Sequence, residues 1–225
     1  MSKTYNVLVM EVFMKKIMLF MVLPIFVLMF LTGCGTGTET HYLWKLNYKD
    51  EIVFGNYQGN PITWIVLDDI DAPEDTILLI SKEILDVKQM NDVEKKVTWE
   101  DSTLNEWLNT EFINEVFDKN IIDNIVINSE NGETNKITVL SSLQYELNLP
   151  TDENRIASGT SYAYNQGLEG SDWYWTKTPC KKDEKAYEAV YGDEGWIRTG
   201  GLNVTSKNVG VRPAFWIKKD TNIKQ

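Results

Sequence analysis

Two cysteines, one histidine and thirty-three carboxylates bound the chemistry open to this 225-residue chain. A Ser-His-Asp relay or a histidine-based metal site needs an imidazole held inside a folded domain. The only imidazole, His41, follows the small polar stretch Gly35–Thr40 (GTGTET), which reads as a tether, so both chemistries are excluded. Aspartate and glutamate remain as the plentiful acid–base groups, and a facing pair of them is the arrangement a hydrolase could use. Cys180 stands beside Lys181-Lys182 but has no histidine or second cysteine to activate it. It reads as a partly buried bystander thiol. The acidic string Asp68-Asp69, Asp71, Glu74-Asp75 lacks the turn glycine and ligand spacing of a calcium loop and reads as a solvated connection. No metal or cofactor is expected. The sequon Asn203-Val204-Thr205 is incidental.

Two other features could carry a function. Trp173-Tyr174-Trp175 is the densest aromatic cluster, and in a strand Trp173 and Trp175 share one face while Tyr174 takes the other. Such rings fill a core, which is the expectation here, or form a stacking platform for a sugar or an aromatic peptide. Arg212 lies between Val211 and Pro213 in an otherwise apolar strand. Buried there, it needs carboxylate or carbonyl partners; Asp68, Asp69 and Glu100 are the candidates, and a structural salt bridge is expected. Trp64, Trp107 and Trp216 read as structural. Glu100-Asp101 before Ser102 put negative charge at a helix N-terminus, where it is worth about 0.3–1 kcal/mol without any catalytic role.

These residues sit on a mixed succession of elements. Asp50–Tyr57, Ile62–Asp68 and Thr76–Ser81 are β-rich runs, separated by turn chemistry at Gly59-Asn60-Pro61 and Asp71-Ala72-Pro73. Trp64, Val66 and Ile77, Leu79 alternate as half-buried strands do. Ser102 caps a helix carrying Leu104, Trp107 and Leu108, and Thr110 is placed to cap a second with Phe112, Val116 and Phe117. Ile121–Ile127 passes from helix into strand, 128–135 is a loop, and Ile137–Ser141 reads as a strand. Ser142 then caps a short helix to Leu147, and Thr160–Gln166 forms another, ended by Gly167. From Trp173 onward the chain is strand and turn: Trp173–Lys177, Tyr187–Tyr191, Trp196–Arg198 and Val209–Ile217, with hairpin connections. Strands, then helices, then strands predict an α+β domain, not alternating βαβ units.

The N-terminus sets the compartment. Lys15-Lys16 precede an apolar run from Ile17 to Leu31 that ends in Leu31-Thr32-Gly33-Cys34. The run is shorter than the roughly 20 residues of a bilayer span and suits the about 7–15 of a signal h-region. Its end resembles the lipobox of bacterial lipoproteins, in which the cysteine thiol receives a diacylglyceryl group and the chain is cut just before it. That resemblance makes Cys34 the lipidation site, residues 1–33 a signal peptide, and 34–45 a lipidated tether. An ordinary signal peptide or an uncleaved anchor is the competing reading. Met14-Lys15-Lys16 makes a cleaner start than Met1. One domain over 46–219 and a tail at 220–225 complete the organisation. The chain's net charge of −11 includes Lys3, Lys15 and Lys16 of the leader, so the remainder is more acidic still and repels nucleic acid and anionic headgroups.

Three blocks carry a wider resemblance. They are Phe54–Tyr57 with Pro61–Asp68 and Leu78–Lys82; Trp99–Leu104 with Trp107-Leu108-Asn109 and Phe112; and Trp173-Tyr174-Trp175 with Thr178-Pro179 and Gly210–Trp216. In order and spacing they resemble a bacterial domain-of-unknown-function family of secreted and surface proteins. The ending Gly-Val-Arg-Pro-Ala-Phe-Trp is more distantly similar to domains of the C-type-lectin-like fold, including formylglycine-generating enzymes. That resemblance implies paired first and last strands, with Ile62–Leu67 beside Val211–Ile217. It implies no calcium-dependent sugar site, since the Glu-Pro-Asn or Gln-Pro-Asp and Trp-Asn-Asp strings are missing. It implies no copper site either, since a lone Cys180 cannot supply a cysteine pair.

The expected function is a lipoprotein held at the extracytoplasmic face of the bacterial membrane, a non-catalytic binding module for surface protein or glycan. An envelope hydrolase using paired carboxylates, or a purely structural component, is the alternative. Two acyl chains make the attachment stable where one would be marginal. Metabolic labelling with a lipid analogue is expected to tag the chain and to leave Cys34→Ser unlabelled.

Overall fold

The computed structural model describes residues 40–68, 72–129, 135–168 and 172–224. The chain divides into two units, Met1–Thr38 and Glu39–Gln225, and all described residues belong to the second. The leader, residues 34–39 of the tether with Cys34, and Asp69 and Asp71 lie outside the described residues. Among those described, no helix is long and apolar enough to cross a membrane.

After β1 (Thr40–Tyr42), alternating apolar residues build β2 (Glu51–Tyr57), β3 (Asn60–Leu67) and β4 (Thr76–Ser81) into an antiparallel meander. Ile52, Phe54, Ile62, Trp64 and Val66 enter one apolar cluster. β4 departs from the half-buried expectation, because every residue from Thr76 to Ser81 is buried. Ile77 and Leu79 join the first cluster, while Leu78 and Ile80 join a second on the other face. A sheet covered on both faces asks for continuous hydrophobicity along its inner strand. The first turn is also displaced from its expected place. Gln58 and Gly59 form it, with φ of 51° and 80°, and Tyr57 already pairs with Asn60. Two successive positive φ values give the hairpin turn whose twist matches its strands.

The helical segment opens as its cap predicts: Ser102 Oγ accepts from the Asn105 amide at 3.2 Å ahead of α1 (Thr103–Trp107). No second cap follows at Thr110. The helix runs on through a π turn at Leu108–Phe112 into α2 (Ile113–Val116), and the Thr110 hydroxyl donates back to the Glu106 carbonyl at 2.7 Å. Continuity carries Leu104, Leu108, Phe112 and Val116 into the first cluster. Then α3 (Lys119–Asn124) passes into β6 (Ile125–Val126). Ile137–Ser141 is not a strand. Its single bridge joins Thr138 to Ala214, because β6 already pairs with Trp216 and Ile217 further along. The cap of α4 (Ser142–Asn148) is Ser141, one residue earlier than expected, in a reciprocal capping box with Gln144. Two short helices follow, α5 (Asp152–Arg155) and α6 (Ser161–Asn165), the latter capped by Thr160.

A second meander, β7 (Trp173–Pro179), β8 (Ala186–Tyr191) and β9 (Ile197–Asn203), is hairpin-connected as the turn residues predict. The expected strand Val209–Ile217 is instead two, β10 (Gly210–Val211) and β11 (Ala214–Lys218), in different sheets. One five-stranded sheet has the order β2-β3-β4-β11-β6. The other has the order β5-β10-β7-β8-β9, where β5 is Asp86–Val87. Mixed helices and antiparallel strands make this an α+β fold. β3 and β11 are not neighbours, since β4 lies between them and takes the pairing with Ala214–Lys218. The ends do meet by another route: β1 pairs with β12 (Asn222–Lys224), so ordered structure extends past residues 46–219 on both sides, and His41, expected in the tether, stands in β1 opposite Ile223.

Two short passages between the sheets, at 82–85 and at Arg212-Pro213, run side by side. The Ser81 amide donates to the Pro213 carbonyl and the Leu85 amide to the Val211 carbonyl, both at 2.9 Å. Arg212 braces this bend from inside, 1% exposed. Its partners are not carboxylates. Nε and Nη2 donate to the Ser81 carbonyl at 3.1 and 2.9 Å, and Nη1 donates to the Tyr174 hydroxyl at 3.2 Å. Its guanidinium carbon also lies 5.1 Å from the Tyr174 ring centroid. Carbonyls suffice because the bend leaves the Ser81 oxygen outside the ladder and facing the core. Arg212→Met is expected to strip those acceptors of their donors and lower unfolding stability by roughly 2–4 kcal/mol, given about 1–3 kcal/mol for each buried group left unsatisfied. Urea denaturation measures it.

Candidate functional site

Tyr174 and Trp175 are fully buried. The Tyr174 hydroxyl donates to the Arg155 carbonyl at 2.6 Å, and Trp175 Nε1 donates to the Lys88 carbonyl at 2.8 Å. The two faces of β7 divide as the alternation predicts, with Trp175 in the first cluster and Tyr174 in the second. Neither ring is open to a ligand. Trp64 and Trp216 are likewise core, Trp64 Nε1 donating to the Phe54 carbonyl at 2.9 Å.

Trp173, half-buried at the start of β7, belongs to a different group. Register places it opposite Tyr191, and the rings stack with centroids 5.0 Å apart and planes 25° apart. The turn that follows β8 brings back Trp196, edge-on to Trp173 at 5.0 Å and to Tyr191 at 5.6 Å. Trp196 is 38% exposed. The turn is fixed by α5. Gly195 has φ +80°, and a Cβ there would lie 1.8 Å from the Asp152 carbonyl oxygen. Buried Arg155 donates from Nε to the Gly195 carbonyl at 2.7 Å and pairs with Asp152. A glycine is required at this close approach, and the indole beside it is held accordingly.

Carboxylates border the rings. Trp196 Nε1 donates to Glu194 at 3.1 Å, and the exposed Tyr164 donates its hydroxyl to Asp172 at 2.6 Å. Asp172 is buried with φ +39°, a strained value for a residue with a side chain. Its hydrogen bond holds the Tyr164 phenol above the usual range, and burial, then Asp193 and Glu194, do the same to Tyr191. Arg198 lies over these rings, 5.7 Å from the Trp173 ring centroid. Sequence reading found Trp173 and missed Tyr191, Trp196, Arg198 and Asp172. The available signal was Tyr191-Gly192-Asp193-Glu194-Gly195-Trp196, two aromatics flanking a glycine-bounded turn next to the Trp173 strand.

A second group lines a cleft of about 230 Å³ bordered by Tyr57, Asn60, Glu83, Thr160, Ser161 and Tyr162. Beneath it, buried Asp86 accepts from the Tyr57 hydroxyl at 2.5 Å and the Val87 amide at 2.7 Å, and pairs with Lys88 at 3.3 Å. Lys88 in turn lies 4.7 Å from the ring of half-buried Trp107. Three donors on Asp86 make it a holder of the cleft wall. Among the described residues no cluster of His, Cys, Asp and Glu could hold a metal ion. Cys180 is buried, its thiol 3.4 Å from the Thr199 carbonyl, and Glu100 and Asp101 stay at the start of α1. Asn203 of the sequon accepts from the Thr205 amide at 2.9 Å.

A family profile for a domain of unknown function, DUF6273, matches residues 74–139 and 128–219. The chain belongs to that family, and the matched residues include both sheet crossings and the whole aromatic group. No curated protein and no solved structure matches.

Buried phenols govern the alkaline limit of the fold. Burial raises Tyr57, Tyr145 and Tyr174 above the ordinary value, with the Asp86 hydrogen bond adding to Tyr57, and it pushes Tyr187 up to about 12. A raised phenol stabilises the fold fully below the ordinary value of about 10 and loses that contribution as pH climbs through its folded value. Lys136 acts oppositely over the range just below its ordinary value, its ammonium lowered by burial against the Ile122 and Ile125 carbonyls. Four phenols outweigh one amine. The urea midpoint is therefore expected to fall steadily above about pH 10, with the buried four adding their tyrosinate absorbance only together with unfolding, after the exposed tyrosines have ionised.

Proposed function

We propose that the chain is a lipid-anchored extracytoplasmic binding module, tethered through a diacylglyceryl group on Cys34, that binds glycan at the cell surface through the rings of Trp173, Tyr191 and Trp196. The observation that carries the reading is the exposed Trp196 indole, held edge-on to a stacked Trp173–Tyr191 pair and bordered by hydrogen-bonding carboxylates. A sugar ring needs one flat apolar face to lie on and acceptors at its rim for its hydroxyls. Trp196 and Glu194 offer both. The similarity of Gly210–Trp216 to C-type-lectin-like surface domains supports the same reading, as does the pairing of β1 with β12, the first and last strands described. The short apolar run and the Leu-Thr-Gly-Cys ending support the anchor.

The test is a glycan array probed with the full chain and with Trp196→Ala. Binding to oligosaccharides is expected, and the variant should weaken it at least about tenfold, as loss of a central aromatic anchor does. Its thermal midpoint should stay within a few degrees, since Trp196 is outside both apolar clusters. An array without signal, or a variant that binds as the parent does, overturns the glycan reading.

A further inference from the structure

We infer that the Trp173–Tyr191–Trp196 platform selects glycans carrying protonated amino groups over their neutral N-acetylated counterparts. This rests on the glycan reading above and goes beyond it by naming the charge of the ligand. Aromatic faces present negative potential, and a cation within about 6 Å of a ring centroid is attracted to them. The chain's own Arg198 already occupies such a position over Trp173 at 5.7 Å. Around the same rings stand three carboxylates, and two of them accept a hydrogen bond from an aromatic side chain. Glu194 is held by Trp196 Nε1, and Asp172 by the Tyr164 hydroxyl. Asp193 acts with them on the Tyr191 phenol.

One hydrogen bond uses a fraction of a carboxylate's roughly four acceptor sites. Glu194, beside Trp196, therefore keeps lone pairs for an ammonium donor on a sugar lying against that indole, while buried Asp172 contributes its charge alone. A sugar bearing carboxylate or phosphate would meet Asp172, Asp193 and Glu194, with Arg198 to oppose them and Arg155 already paired with Asp152. The chain's net charge of −11 adds attraction of the same sign at longer range. A sugar is favoured over a basic peptide because the exposed indole offers a flat stacking face as well as charge.

The experiment is calorimetric titration of the full chain with the tetrasaccharides of glucosamine and of N-acetylglucosamine, at low salt and about pH 6, where an ordinary amine is protonated. The amino form is expected to bind roughly tenfold tighter, a cation–π contact and a charge-assisted hydrogen bond together supplying that ratio. The double variant Asp193→Asn/Glu194→Gln should bring the ratio close to parity. Arg198→Ala should tighten the amino form by removing a competing cation. Equal or tighter binding of the N-acetylated form by the parent chain overturns this inference and leaves the glycan reading standing. Weaker binding of the amino form by Arg198→Ala, in place of tightening, also overturns it. Binding of neither sugar, with a silent array, removes both. A trilysine peptide that binds as tightly as the amino sugar would transfer the site to protein recognition and overturn the proposal.

Discussion

The fold depends on a buried guanidinium at a bend. β4 with β11 belongs to one sheet and β5 with β10 to the other, and these strands are continuous through the crossings at 82–85 and 212–213. A ladder that bends this sharply exposes carbonyls to the core, where an unpaired acceptor is costly. Arg212 supplies the missing donors at Ser81 and reaches Tyr174 in the second sheet. Pro213, with no amide hydrogen, asks for no partner at the same corner. The backbone carbonyls and the Tyr174 ring together stabilise the cation without a carboxylate.

The aromatic platform is a consequence of that arrangement. With Tyr174 turned inward to Arg212 and Arg155, Trp173 shares the other face with buried Trp175, and its place at the start of β7 leaves it half-buried. Its partner in register is Tyr191, and the turn after β8 returns Trp196 to the same spot. Arg155 and Gly195 then lock the turn against α5. Buried polar contacts therefore set the position of exposed rings.

Much of this was legible residue by residue. The Ser102 cap, the helix-to-strand passage at Ile121–Ile127 and the hairpins after Trp173 follow from local chemistry and are present. The departures share a cause. Thr110 has cap chemistry, yet packing of Leu108 and Phe112 carries the helix through a π turn past it. Ile137–Ser141 has strand composition, yet the edge it would join is mostly taken. Arg212 was expected to find a carboxylate, because a sequence displays acidic side chains and hides which carbonyls a bend will strand.

By itself the sequence determined the α+β class, the chain's acidity and the identity of the core tryptophans Trp64 and Trp216. These depend on composition and on short periodicities, which local physics enforces. Only the tertiary structure decided which aromatics surface together, what Arg212 donates to, and that β4 separates β3 from β11. Those outcomes depend on contacts between residues far apart in the chain, whose pairing no local preference specifies.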